Sequence, residues 1–545
     1  MKLLKLCLKI WLCGAVYAQA AEKPNILFIM ADDLGWTDLA PSNANMSHGS
    51  NYHETPNLDQ FTRESISFTH AYAQQNCQPS RTALFSGQYA LSSMNNTYNV
   101  TSLKRYDKRS KNWPKIRITP YSQQKGGIDT SSTSLFDMLK AANYHTSIFG
   151  KNHGCGANED LPQNHGIDHN FATKKKVQGQ VKGKNKKSNY LALQDDSKGW
   201  IFDGPMAKYA QPYTENYIKN QLLPVANEND PMSLIGKPKH YTDAISDAVT
   251  NYLAERAEAK SPFIAYVPLH AVHSSIVARP DLLAKYKAKS SSDKRHHKAD
   301  YAAFIEHMDQ TVGRILRALK KNKLSENTLV IFTSDNGGLK GSTSNKPLRH
   351  FKGSFYEGGI RVPFITRWPN KVKPGSTSAQ PIHLIDIYPT LAKIAGGTLP
   401  DPAIQPLDGA SLTGILTGEK ESLDRDSLFW HFPGYMDVRN HPRSLIQKRI
   451  GKDLYKLFFN YTDGSYELYH ISQDISESNN LLPSTDEKIN SIAQQMNSDL
   501  HLWLSNNKAP TGTWRINGTP VPYPPLDRKS YHIPDQGKLK PIKKK

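Results

Sequence analysis

Residues 24–35 read Pro-Asn-Ile-Leu-Phe-Ile-Met-Ala-Asp-Asp-Leu-Gly, a short apolar run that ends in two adjacent carboxylates. Such a run is typical of a strand buried on both faces of a parallel sheet, which predicts an α/β fold. Ligands of open α/β sheets collect outside the carboxyl ends of the strands, so Asp32 and Asp33 are candidate binding residues. The alternative is a plain turn or helix cap, in which acidic pairs are also common.

A second run of the same kind, Leu329-Val330-Ile331-Phe332-Thr333, leads into Asp335 and Asn336. If the two strands are neighbours, Asp32, Asp33, Asp335 and Asn336 converge at one edge of the sheet. Oxygen donors without sulfur or imidazole select Ca²⁺ or Mg²⁺ over zinc or copper. The two runs together therefore predict a site for a hard divalent cation.

The stretch 76–87, Asn-Cys-Gln-Pro-Ser-Arg-Thr-Ala-Leu-Phe-Ser-Gly, places Cys77 near the start of a predicted helix. We predict Pro79 as the first helical residue, since proline lacks an N–H that would have no partner there. Cys77 then lies at a helix N-terminus, which favours an anion. A buried structural cysteine is the alternative interpretation.

Between these motifs, hydrophobic spacing predicts further elements of an α/β domain. Helices are expected over 134–140, from Tyr241 onward, and through a core stripe from Tyr301 to Leu316; strands are expected over 144–149 and 262–267. Candidate polar residues follow two of these strands, namely Lys151 and His153 after the first and His270 and His273 after the second. For Lys151 and His153 the alternative is an ordinary surface loop, and we expect His270 to be structural or substrate-facing.

The pattern changes from about residue 425. Short strand-like runs cover 427–432, 443–448, 454–460 and 466–470, and a helical stretch follows near 485–505. We therefore predict a large domain over 21–424 and a smaller C-terminal subdomain over 425–529. Residues 530–545 form a Lys-rich tail that we expect to be disordered.

Composition and the N-terminus suggest where the chain acts. Residues 1–20 combine lysines, a short apolar run and an Ala-Gln-Ala cleavage pattern, which predicts a signal peptide and export to the periplasm or the medium. No later apolar run is long enough to predict a membrane anchor. Outside residues 1–20 only Cys77 and Cys155 remain, and one bond between them is an open alternative.

The formal charge of +20 indicates a polyanionic partner. For an exported protein, we expect a sulfated polysaccharide rather than nucleic acid. Basic segments at 104–117 and 174–187 are either solvated loops or part of a polyanion-docking surface.

Taken together, Cys-x-Pro-Ser-Arg at 77–81, Gly-Lys-x-His at 150–153 and the block 346–363 with Lys352 resemble the formylglycine-dependent sulfatases of the alkaline phosphatase superfamily. The resemblance covers essentially all of the chain after residue 20, with its elements in family order. Asn152 and Gly154 depart from the family pattern, which has an aromatic and a bulky residue there. The fold implied is a large α/β domain with a mostly parallel sheet flanked by helices, plus a C-terminal subdomain with a short antiparallel sheet and a helix.

The resemblance also implies roles. Cys77 is converted to formylglycine by dedicated machinery, and Asp32, Asp33, Asp335 and Asn336 join it around Ca²⁺, with Mg²⁺ second. Arg81 steadies residue 77, and His153 acts as base. The remaining contacts to sulfate or the leaving oxygen come from Lys151, Lys352 and His273.

We therefore expect a sulfatase for a sulfated carbohydrate, such as a carrageenan-like algal galactan. Two alternatives stay open: a phosphomonoesterase or phosphodiesterase of the same superfamily, and a non-catalytic protein that binds sulfated polysaccharide. The sugar, the sulfate position, exo or endo action and the oligomeric state are left open by the sequence.

Overall fold

The computed structural model describes residues 23–91, 115–117, 127–128, 131–155, 162–171, 192–193, 200–202, 204–436 and 440–535. The described strands, in chain order, are β1 Asn25–Ala31, β2 Ile66–Phe68, β3 Ala71–Tyr72, β4 Ile116–Arg117, β5 His145–Phe149, β6 His169–Phe171, β7 Ala192–Leu193, β8 Trp200–Ile201, β9 Phe263–Pro268, β10 Thr328–Ser334, β11 Phe364–Arg367, β12 Ser376–Ser378, β13 Ile382–His383, β14 Ser427–Phe432, β15 Arg443–Ile450, β16 Asp453–Asn460, β17 Tyr466–His470 and β18 Thr513–Trp514.

The described α-helices are α1 Pro56–Arg63, α2 Cys77–Ser86, α3 Leu135–Ala141, α4 Glu215–Tyr217, α5 Tyr241–Ala259, α6 Pro280–Ala288, α7 Ala299–Lys321, α8 Glu357–Ile360, α9 Ile387–Ala395, α10 Thr413–Leu416 and α11 Glu487–Asn506. These bounds agree within a few residues with the helices predicted near 134–140, from Tyr241, through the 301–316 stripe and near 485–505.

The central sheet has eight strands in the order β12-β2-β11-β10-β1-β9-β5-β6. Strands β10, β1, β9, β5 and β6 run parallel, and only β11 pairs antiparallel with its two neighbours. The predicted mostly parallel α/β sheet is therefore confirmed.

Strand β1 lies near the middle of this sheet, and its buried residues face both sides. Leu27 and Ile29 belong to a core that includes helices α5 and α7, while Ile26 and Phe28 belong to one that includes α2, α3 and α9. Burial on both faces explains why the sequence of this strand is continuously apolar rather than alternating.

The register of β1 against β10 brings the two acidic motifs together. Asn25 pairs with Thr328 and Ala31 with Ser334, so both strands end at the same level. The loops that begin with Asp32 and Asp335 therefore leave the same edge of the sheet, as the two sequence runs predict.

The C-terminal part forms a separate four-stranded antiparallel sheet, β14-β15-β16-β17. Helix α11 packs against it through buried residues such as Met496 and Leu500. The predicted antiparallel sheet and helix are thus present.

One local prediction is wrong. Helix α2 begins at Cys77 with Asn76 as its N-cap, so Pro79 is the third helical residue rather than the first. Proline still fits there, because the first bond of this turn runs from the Ser80 N–H to the Asn76 carbonyl and needs no N–H from Pro79.

Cys77 and Cys155 are both buried and form no disulfide, which answers the open question of a bond between them. The predicted signal peptide, the basic segment 174–187, most of the segment 104–117 and residues 536–545 lie outside the described residues.

Candidate active site

The loops after β1 and β10 place four oxygen-bearing side chains together. Asp32, Asp33, Asp335 and Asn336 are each at most 1% exposed. The Asp33 backbone N–H donates to Asp335 Oδ1 at 3.1 Å, and the Asn336 amide donates to Asp33 Oδ1 at 2.9 Å. The structure therefore brings together the four side chains that the sequence singles out.

Cys77 faces this group from the first turn of helix α2. Its Sγ lies 3.4 Å from Asp32 Oδ1, 3.7 Å from Asp33 Oδ1 and 3.0 Å from Lys352 Nζ. Burial, followed by the charge of Asp335, raises the pKa of the Cys77 thiol far above its usual range. The side chain in this structure is therefore a neutral thiol.

Two buried lysines approach from separate loops. Lys151 follows β5, is held by a hydrogen bond from its backbone N–H to the Pro268 carbonyl, and pairs with Asp32. Lys352 is held by a bond from its backbone N–H to the Gly338 carbonyl and pairs with Asp33 at 2.5 Å. Burial opposes both charges, but the neighbouring carboxylates dominate and raise the pKa of each lysine, so both are cations.

Arg81 lies one turn along helix α2 from Cys77 and binds Asp335. Its Nε and Nη2 donate to Asp335 Oδ2 at 2.9 and 2.7 Å, and its Nη1 donates to the Lys151 carbonyl at 3.1 Å. In this structure the guanidinium contacts Asp335 directly and so orients that carboxylate beside residue 77.

Three histidines surround the same centre. His273 Nε2 lies 3.7 Å from Asp33 Oδ2, and the ligand atoms of Asp32, Asp33, Cys77 and His273 all fall within 4.8 Å of one another. Burial and the charge of Lys151 hold the pKa of His153 well below its usual value, so its imidazole is neutral.

The third of these histidines is His270, which we expect from the sequence to be structural or substrate-facing. Its Nδ1 lies 3.6 Å from Asp32 Oδ2, and its ring centre is 5.1 Å from that of His273. In the sequence, His270 is marked as a candidate only by its position after strand β9, in the same segment as His273.

The two departures from the family pattern have structural explanations. Asn152 accepts a hydrogen bond from the Cys155 backbone N–H at 3.3 Å and so closes the loop after β5. At Gly154 a Cβ would lie 2.4 Å from Cε2 of Phe85, because that aromatic ring occupies the space. Glycine is therefore required at this position by packing.

The C-terminal sheet also reaches the site, which the sequence reasoning missed. The Asn76 amide contacts Met436 Sδ at 3.0 Å, so the segment after β14 lies beside the N-cap of helix α2. A contact across 360 positions carries no local sequence signal.

The donor set fits a hard divalent cation. Among the described residues, Asp33 Oδ2 and Asn336 Oδ1 are buried oxygens without a hydrogen-bond donor. Unpaired buried acceptors are costly unless a cation or another donor satisfies them. Carboxylate and amide oxygens are the ligands of Ca²⁺ and Mg²⁺.

A parallel-sheet α/β domain with this polar centre at its carboxyl edge, joined to a small antiparallel sheet, defines a hydrolase with an alkaline-phosphatase-like fold. The family model Sulfatase matches residues 24–397, and the model N-sulphoglucosamine sulphohydrolase, C-terminal, matches residues 349–505. The chain belongs to the sulfatase family and is a sulfuric ester hydrolase.

Individual relatives support the same family assignment. A protein named Sulfatase from Formosa agariphila is 48% identical over 529 residues, covering 94% of both chains. Human steryl-sulfatase is 26% identical over 550 residues, covering 88% of each. The crystal structure of Ps i-CgsB in complex with k-i-k-neocarrahexaose superposes with a TM-score of 0.63 at 26% identity, covering 90% of this chain and 94% of that one.

Within the described part of the chain, no helix combines the length and apolar character needed to cross a membrane.

Proposed function

We propose that the protein is an exported sulfatase that removes sulfate ester groups from a sulfated carbohydrate, using Ca²⁺ and a formylglycine made from Cys77. The observation that carries the proposal is the surroundings of Cys77. Its sulfur lies among two carboxylates and a lysine, at the carboxyl edge of the sheet.

An unmodified thiol has little use in these surroundings. Its raised pKa keeps it protonated, and the thiolate is the reactive form of cysteine. Oxygen is the better partner for a hard cation. Conversion to formylglycine is a two-electron oxidation of the Cys77 side chain, for which the generating enzyme supplies the electron acceptor. Sulfur leaves as sulfide, and an aldehyde oxygen takes its place. Sγ thus stands in for an oxygen of the hydrated aldehyde.

Asp32, Asp33, Asp335 and Asn336 would hold the cation together with residue 77. When bound, Ca²⁺ supplies positive charge that lowers the pKa of a neighbouring hydroxyl and balances charge on sulfate oxygens. Arg81 fixes the position of Asp335.

In the reaction, one hydroxyl of the residue 77 hydrate attacks sulfur, and the sugar alcohol leaves. The second hydroxyl then loses its proton, the aldehyde C=O forms again, and the C–O bond to sulfate breaks. Water rehydrates the aldehyde, so the sum is ester plus water giving alcohol plus hydrogen sulfate. Lys151 and Lys352 hold sulfate oxygens during both steps.

Two histidines move the protons. His153 is neutral and its Nδ1 has no hydrogen-bond partner among the described residues, so it can take the proton of the second hydroxyl. His273 has 28% of its side chain accessible, and it donates a proton to the leaving sugar oxygen.

The substrate class rests on charge and on similarity. The formal charge of +20 favours a polyanionic carbohydrate. Ps i-CgsB, at 26% identity, was crystallised with a neocarrahexaose. We therefore propose an algal polysaccharide or its oligosaccharides, with carrageenan-type galactans first. The signal-like residues 1–20 support export to the periplasm or the medium.

The test is a panel of sulfated galactans, fucans and glycosaminoglycans of defined length, with an aryl sulfate and an aryl phosphate as small substrates. The protein is co-expressed with a formylglycine-generating enzyme, and released sulfate is measured by ion chromatography. We expect sulfate from at least one galactan and none with Cys77→Ala. Faster turnover of the aryl phosphate, with no sulfate released, would make the protein a phosphoesterase.

A further inference from the structure

Arg443 is a buried cation at the boundary between the C-terminal sheet and the catalytic domain. It is the first residue of β15, pairs with Phe432 and Asn460 on the neighbouring strands, and is 7% exposed. Its guanidinium lies over two aromatic rings, 5.4 Å from the ring centre of Tyr356 and 5.5 Å from that of Phe458.

The described residues offer this guanidinium no hydrogen-bond acceptor. Among the described residues it has no ion pair within 4 Å, and its Nε is buried without a hydrogen-bond partner. The carboxylate of Glu467 is nearby but already accepts bonds from the hydroxyls of Tyr356 and Tyr469, at 2.6 and 2.7 Å. Leaving a buried charge unpaired is costly, so the arrangement calls for an anion from outside the chain.

A neighbouring arginine shows the contrast. Arg349 stacks on the same Tyr356 ring at 3.9 Å, but its Nη1 donates to the Tyr469 hydroxyl at 2.7 Å and to the Glu477 carbonyl at 3.0 Å. Arg349 is thus satisfied within the fold. Its role is to join the catalytic domain to the C-terminal sheet, whereas Arg443 keeps its donors available.

The position of Arg443 connects it to the reacting centre. Tyr356 is four residues after Lys352, whose ammonium group contacts Cys77. The ring of His350, two residues before Lys352, lies 4.9 Å from that of Tyr356. The segment after β14 touches Asn76 through Met436. Arg443 is therefore linked through the Tyr356 ring to the loop that carries Lys352.

We propose that Arg443 binds a second anionic group of the substrate, a sulfate ester or carboxylate on the sugar that carries or adjoins the ester being cleaved. This inference rests on the proposed function. A planar guanidinium can donate two parallel bonds to such an oxyanion, which fixes the orientation of the sugar as well as its charge. Arg443 is a specificity-determining residue, distinct from the groups that act on the scissile sulfate.

The test compares Arg443→Met with the parent enzyme on three substrates: an aryl sulfate, a galactan oligosaccharide with one sulfate, and the same oligosaccharide with a second sulfate on the adjoining sugar. Methionine preserves the packing on Tyr356 and Phe458. We expect kcat/KM on the disulfated substrate to fall about 10- to 100-fold more than on the other two, mainly through KM. A uronate-containing oligosaccharide distinguishes a carboxylate from a second sulfate.

Arg449→Met is the matched control, because it lies at the other end of the same strand and donates to the Ala379 carbonyl at 2.8 Å. It should leave the ratio between substrates unchanged. Arg443→Lys should recover part of the selectivity. If a folded Arg443→Met variant lost kcat/KM equally on all three substrates, the proposal would be overturned. If the parent enzyme released no sulfate, the proposed function would be overturned instead. The role of Arg443 would then be decided by measuring how tightly the disulfated oligosaccharide binds to the Cys77→Ala variant, with and without Arg443→Met.

Discussion

Lys352 Nζ lies 3.0 Å from Cys77 Sγ, although 275 positions separate the two residues in the chain. The contact is made possible by two backbone bonds in one loop, from the Lys352 N–H to the Gly338 carbonyl and from the Gly353 N–H to the Gln75 carbonyl. The second of these bonds ties the lysine loop directly to the segment that carries Cys77.

Replacing Lys352 by alanine should lower kcat/KM for sulfate release by about 10²- to 10³-fold, because a buried cation that balances charge on sulfate oxygens is lost. Sulfate release from an aryl sulfate measures the effect. Lys346→Ala, an exposed lysine of the same loop, is the control and should stay within twofold of the parent. Equal activity of both variants would remove Lys352 from the mechanism.

Replacing Arg81 by methionine should destabilise the fold by about 3–5 kcal/mol, since it leaves the buried Asp335 carboxylate without the two hydrogen bonds that Arg81 donates to its Oδ2. Urea unfolding measures the change. The double variant Arg81→Met with Asp335→Asn should recover part of that loss, because the uncompensated charge is gone. A loss below about 1 kcal/mol in the single variant would contradict the importance of this pair.

Removing divalent cations should abolish sulfate release and lower the thermal midpoint, because Asp33 Oδ2 and Asn336 Oδ1 then lack a partner. Adding Ca²⁺ at a hundred times its Kd should restore about 2.7 kcal/mol of stability. Calorimetry with and without chelator gives both values. The same experiment with Asn336→Leu serves as control and should show little response to Ca²⁺. If the thermal midpoint of the parent protein were the same with and without chelator, this would argue against a cation at this site.

Gly154→Ala should destabilise the protein by about 1–3 kcal/mol, because its Cβ would lie 2.4 Å from the Phe85 ring. Thermal unfolding measures the change. Shortening the opposing side chain in the double variant Phe85→Leu with Gly154→Ala should make the two effects less than additive. Strictly additive losses would mean that the ring does not set the requirement for glycine.

Much of this architecture follows from local sequence. The continuous apolar run of β1 and the acidic residues after it predict a parallel strand with a site at its carboxyl end, and the register with β10 brings Asp33 and Asp335 into contact. Local pattern cannot predict contacts that depend on how distant loops pack. The contact of Met436 with Asn76 and the unpaired guanidinium of Arg443 arise in this way, since each depends on the docking of the C-terminal sheet.

The exact start of helix α2 is a smaller feature that the sequence could not predict. Proline is favourable at several positions of a first helical turn, so Pro79 alone could not fix the helix start at Cys77. The helix starts after Asn76, whose backbone is extended and whose side chain makes no capping hydrogen bond, and this becomes visible only in the structure.

The most direct test of the central claim is the mass of the peptide that contains residue 77, measured on enzyme whose sulfate release has just been quantified. The account predicts that the fraction of residue 77 present as formylglycine rises in proportion to specific activity across preparations with different degrees of conversion. Full activity in protein whose residue 77 is entirely unmodified cysteine would contradict it.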